Sequence, residues 1–116
     1  MKSENPRLIN QTEVNYFLHR VKINFPNFVA GVITDRNGFP IGSHISKRLW
    51  VHENTLALWA VSKNKELVIR EPNLVQLKFD IDKRKRYKLY ILIEKSKNHK
   101  AKLKVLKQMI KSQELF

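Results

Sequence analysis

FVAGVITDRNGFPIGSHIS, residues Phe28 to Ser46, is two apolar runs on either side of a turn. Asp35-Arg36-Asn37-Gly38 supplies an Asx-type start and an Asn-Gly step that tolerates positive φ, which together write a β-hairpin. Alternation sends Phe28, Ala30 and Val32 to one face of the first strand and Val29 and Ile33 to the other. Both faces are apolar, so this strand is expected to be covered on both sides. The second strand carries Phe39, Ile41, Ser43 and Ile45 on one face and Gly42 and His44 on the other. Pro40 has no N–H to donate, which makes the second strand an edge at that point. A central strand beside an edge strand needs two helical covers.

Those covers are legible on either side of the hairpin. Upstream, Asn10 and Glu13 have capping-box spacing. Val14, Leu18, Val21 and Phe25, with Phe17 alongside, make one helical face that Pro26 ends. Residues 1–9 are expected to be a flexible tail and residues 10–116 a single domain. Downstream, Ser46–Val51 is a connector and a second helix is expected from His52 to Lys63. That helix carries Leu56, Trp59 and Ala60 on one face and Leu58 and Val61 on another, which implies burial on two sides. Glu66–Arg70 reads either as a short strand, ended by Glu71-Pro72-Asn73, or as an extension of the second helix. Leu74–Asp82 alternates as a half-solvated strand, and Tyr87–Glu94 is apolar on both faces, like the first. A last helix is expected from Asn98 to Ser112, with Leu103, Leu106 and Ile110 buried, Val105 and Met109 beside them, and lysines elsewhere. The fold class is thus α/β in the layered α+β sense, in the order α-β-β-α-β(-β)-β-α. Its mostly antiparallel sheet of four to five strands lies between helices, with Val29–Ile33 and Leu89–Ile93 central.

Charge is the unusual number. Lys and Arg total 23 against 10 acidic residues, for a net charge of +13. Residues 83–111 hold twelve of the basic residues and only one acid, Glu94. Such asymmetry points to an anionic partner, whether nucleic acid, an anionic membrane surface or an acidic protein, through Lys83, Arg84, Lys85, Arg86, Lys100 and Lys104. The competing reading is a solvated lysine-rich surface, since Lys outnumbers Arg and phosphate readers lean on Arg. The turn Lys83–Arg86 is expected to be exposed and to contribute little to folding. With no cysteine, thiol nucleophiles, disulfides and Cys-ligated zinc are excluded. MKSENPRLIN lacks the apolar core of a signal peptide, and no apolar run spans a membrane, so a cytoplasmic place is expected, with the basic patch able to bring the domain to a membrane.

Catalytic constellations are not apparent. His19, His44, His52 and His99 are dispersed without ligand spacing, and Glu53 diverges from its neighbour His52 on a helix. Ser43 sits on a strand rather than on a nucleophile elbow. Asp80 and Asp82 read as solvated ion pairs with nearby lysines and the basic turn. Three glycines form neither a phosphate loop nor a dinucleotide fingerprint, so no cofactor is expected and the chain reads as a non-enzyme.

The element order, with Gly31-Val32-Ile33, Asp35, Gly38, Pro40, Ile41 and Ser43 at matching places, resembles the Roadblock family, named for the dynein light chain roadblock. Longin and profilin-like domains share a similar layered look. The resemblance runs from about Thr12 to Ser112, and the segment before the last strand is short for the family. It implies a non-catalytic scaffold or regulator for small Ras-like GTPases or a related complex, working as a homodimer. Second helices and adjoining strand edges would pair, drawing on Leu56, Trp59, Ala60, Lys63, Leu67 and Ile69. In the monomeric alternative the connector Ser46–Val51 covers one apolar set, with Trp50 as lid.

Overall fold

The computed structural model describes residues 11–47, 49–63, 73–95 and 99–113. In chain order the elements are α1 (Gln11–Asn24), β1 (Phe28–Asp35), β2 (Pro40–Ile45), α2 (Glu53–Val61), β3 (Leu74–Asp80), β4 (Tyr87–Glu94) and α3 (His99–Ser112). The four strands form one antiparallel sheet in the order β2-β1-β4-β3. β1 and β4, apolar on both sides, occupy the two central positions, and β2 with Pro40 stands at an edge. The segment Glu66–Arg70, with Leu67 and Ile69, and the tail before Gln11 lie outside the described residues.

Among the described residues, two helices cover one face and one helix the other. α1 buries Val14, Phe17, Leu18 and Val21, which pack with Ile33, Leu89, Ile91 and Ile93 and with Leu106 and Met109 of α3. On the opposite face Leu56, Ala57 and Ala60 of α2 meet Val29, Ala30, Val32, Tyr90 and Leu92. This double cover accounts for the apolar composition of β1 and β4, since an unpartnered polar side chain on either face would be desolvated at a cost. At Gly42 α1 packs close against β2: a Cβ there would lie 2.6 Å from Val14 Cγ1.

Strict alternation fails at two places, for one physical reason. Phe28 packs with the α1/α3 cluster, whereas Val29 joins Ala30 and Val32 under α2. A register shift against β4 between Phe28 and Ala30 inserts one residue and reverses the parity. In β2, Ile41 packs under α1 and α3 while Ile45 packs under α2. There the pairing steps from Ile33↔Gly42 to Thr34↔Pro40, leaving Ile41 as the extra residue.

The hairpin turn is built by Asp35. Its Oδ1 accepts from the backbone N–H of Asn37 at 2.8 Å and of Phe39 at 2.9 Å. Gly38 N–H donates to the Asp35 carbonyl at 3.1 Å. Gly38 takes φ 86° and Asn37 does not enter the left-handed region, so the Asn-Gly step works through its glycine alone. The connector differs from the lid arrangement: Trp50 is 95% exposed, and Leu49 and Val51 pack against the α2 cluster instead.

Candidate functional site

The β3–β4 turn is a built structure. Asp82, with a side chain only 6% exposed, accepts through Oδ1 from the N–H groups of Arg86 at 2.8 Å and Tyr87 at 3.1 Å. Its Oδ2 accepts from Arg86 Nε at 2.9 Å. Burial alone would raise the Asp82 pKa. The Arg86 side-chain bond and the two backbone bonds outweigh it and hold the carboxyl below its ordinary range. Lys85 supports the tight turn with φ 55°, and the Arg86 guanidinium lies 5.7 Å from the Tyr87 ring centroid. Lys83, Arg84 and Lys85 are exposed as expected, but Arg86 is half-buried and tied into the turn. The expectation that all four are dispensable for folding is therefore corrected at Arg86.

Against this turn lies the C-terminal half of α3, and between them opens a cleft of about 710 Å³. Ile81 and Ile110 are its apolar lining, and Lys83, Arg84, Arg86, Lys107 and Lys111 its cations. Asp82 is the one carboxylate among the described residues of that lining, and it is already engaged by the turn. Gln113 closes one side, donating from Nε2 to the Ile81 carbonyl at 3.3 Å. Of the residues the sequence pointed to, Lys83, Arg84 and Arg86 line the cleft, whereas Lys85 and Lys104 do not. The Lys100 side chain lies outside what the structure describes. Lys107 and Lys111, lysines of the last helix not singled out for the patch, line the cleft as well; their signal is the spacing of Lys104, Lys107 and Lys111, which puts three lysines on one helical face.

The second candidate surface is the outer side of α2. Leu56 and Ala60 are sealed beneath the helix in the chain's own core, and Trp59 is half-buried against the same cluster. Of the expected dimer residues, Leu56 and Ala60 are therefore spoken for within the chain, and Lys63 is exposed just past the helix. Leu58, by contrast, is 57% exposed. It lies with Val61 beside the hairpin turn, where a Cβ on Gly38 would meet Leu58 Cδ2 at 3.1 Å and Val61 Cγ2 at 3.2 Å. Phe39, next in the chain, is 66% exposed.

The remaining polar groups hold elements together. His52 caps α2, its Nδ1 accepting from Asn54 N–H at 3.1 Å. Ser43 Oγ donates to Glu53 Oε2 at 2.6 Å, tying β2 to the start of that helix. Lys78 Nζ donates to the Ser62 carbonyl at 2.9 Å, placing a cation at the helix C-terminus. Burial, and then the charge of Lys88, lower the Lys78 pKa. Tyr90 donates from its hydroxyl to Gln76 Oε1 at 2.9 Å, and burial pushes its phenol well above the ordinary range. Asp80 pairs with Lys88 across the strands at 2.9 Å. His44 stacks at a tilt on Phe28, 5.8 Å between centroids; burial first, then Lys22 and His19, lower its pKa. Among the described residues no three of His, Asp or Glu cluster as metal ligands, and no helix is long and apolar enough to cross a membrane.

Compared with known proteins, the chain matches no family model and no curated sequence.

Proposed function

We propose that this chain is a non-catalytic, homodimeric platform of the Roadblock kind, holding a small Ras-like GTPase or a related protein complex in the cytoplasm. Leu58 carries the reading. A leucine that is 57% exposed on an otherwise well-packed helix, with Val61 and exposed Phe39 around the same turn, is an apolar surface suited to a symmetric partner face. Helix–sheet–helix layering in which, among the described residues, α2 is the one helix on its face supports the same reading, because that helix's outer side could meet a second copy. Light scattering at tens of micromolar tests the dimer: the proposal expects twice the chain mass of 13.8 kDa. Leu58→Glu should return it to the monomer without unfolding it. Titrating purified Ras-like GTPases, loaded with GDP or a GTP analogue, into the dimer tests the partner, and no binding by any of them removes that half of the reading.

A second reading is favoured by the basic cleft: a domain that binds nucleic acid or an anionic membrane surface through non-specific phosphate contacts. Retention on heparin that salt abolishes is its expected signature.

A further inference from the structure

We infer that the cleft between the β3–β4 turn and α3 is a site for a compact polyphosphate, several phosphate groups clustered on one small scaffold, as in an inositol polyphosphate, free or as a lipid headgroup. The inference rests on the anion-binding reading above and sharpens it from a diffuse patch to one site. Four observations carry it. First, cations arrive from two elements, Lys83, Arg84 and Arg86 from the turn and Lys107 and Lys111 from α3, and converge on one concavity. Like charges gathered this way repel one another unless an anion sits among them. Second, among the described residues no carboxylate pairs with Lys83, Arg84, Lys107 or Lys111. Asp82 takes Arg86 through Nε, which leaves the terminal guanidinium nitrogens as donors. Third, Arg86 is held in place by that pair and by Tyr87, so one donor is positioned before any ligand arrives. Fourth, at about 710 Å³ the cleft has the size of a small-ligand site, a class that spans roughly 300–1,000 Å³.

A nucleic-acid strand fits these features less well. Among the described residues, the lining of the cleft contains no aromatic side chain on which a base could stack.

The experiment uses the full chain and three probes: inositol hexakisphosphate, phosphatidylcholine vesicles doped with phosphatidylinositol bisphosphate, and a single-stranded RNA of mixed sequence. Calorimetry gives affinities, and amide chemical-shift mapping on the wild type locates the site without any substitution. The expected result is binding of inositol hexakisphosphate with shifts centred on residues 81–86 and 107–113. Arg84→Gln with Lys107→Gln should weaken it roughly tenfold, as the loss of two exposed charge pairs would. A charge-matched control, Lys22→Gln with Lys47→Gln, should leave it nearly unchanged. Binding of the soluble probe alone assigns a free polyphosphate, and additional binding of doped but not plain vesicles assigns the lipid headgroup; either supports the site. Equal weakening by both double variants, shifts spread over the surface, or RNA that binds tighter and is not displaced by inositol hexakisphosphate would overturn it. Heparin retention that persists while inositol hexakisphosphate fails to bind would sink this inference and leave the non-specific reading standing.

Discussion

Asp35 and Asp82 perform the same task at two hairpins on the same end of the sheet: each turns one carboxylate oxygen onto two backbone N–H groups. Asp82 goes further, because its second oxygen fixes Arg86. Replacing Asp82 with Ala leaves these donors without their acceptor in a half-buried turn and is expected to cost about 1–3 kcal/mol, read as a lower urea midpoint. The effect has a pH signature. The folded carboxyl titrates below its ordinary value, so on acidification the unfolded chain takes up the proton first. The contribution is therefore complete above the unfolded pKa, near 3.9, and is lost as pH falls through the folded pKa. A urea series should show the wild type's advantage over Asp82→Ala full at pH 6 and shrinking below about pH 4. An advantage that stays constant into strong acid would mean that the charge on Asp82 does not stabilise the turn. Asp35 was readable in advance because Asn-Gly follows it. Asp82 was not, because among four basic residues it looks like one member of a solvated ion pair.

At the scale of elements, α2 separates what alone can be buried from what needs company. Leu56 is fully buried between β1 and β4, and Leu58 is mostly exposed on the same helix. Leu56→Ala should cost about 2–5 kcal/mol. Leu58→Ala should cost less than about 1 kcal/mol in the isolated chain, because little area is lost. Equal losses, measured by urea unfolding below the concentration at which the protein associates, would show that Leu58 is a core residue after all. The element order, both central strands and the core stripe of α1 were legible, since period-2 and period-3.6 patterns over long segments allow few alternatives. Parity along the hairpin was not. A bulge adds one residue with no composition mark, and it moved Phe28 and Ile41 to faces that alternation denies them. Nor was the division of labour on α2, because two apolar faces in nine residues look alike until the hairpin turn is seen lying beside one of them. The cleft was half legible: the basic turn stands out as a run, but Lys107 and Lys111 join it only through the tertiary packing of α3.

For the whole molecule, the two candidate surfaces lie on opposite sides of the sheet: Leu58 on α2, and the basic cleft at the α3 side. Lys83, Arg84, Arg86, Lys107 and Lys111 gather at the second surface. The exposed cations of the β3–β4 turn are expected to be removable without harming the fold. Lys83, Arg84 and Lys85 together replaced by Gln should change stability by no more than about 0.5 kcal/mol each. The same protein should leave heparin at clearly lower salt. Adding Arg86→Gln should then destabilise, since it strands the Asp82 carboxylate. If the two proposed surfaces are used together, one more consequence follows from geometry. A dimer built on α2 carries two clefts, neither of them covered by the dimer contact. For a soluble polyphosphate the two act independently, so the affinity per chain should be the same in wild type and in Leu58→Glu. On a vesicle bearing the same headgroup, binding of the first cleft holds the second near the surface, and avidity can add a factor of roughly 10²–10⁴. The dimer should therefore bind doped vesicles at least tenfold more tightly than the Leu58→Glu monomer, with the difference vanishing for soluble inositol hexakisphosphate. Equal vesicle binding by a proven dimer and a proven monomer would mean that the two clefts cannot reach one surface together, and that the apolar and basic sites serve separate partners.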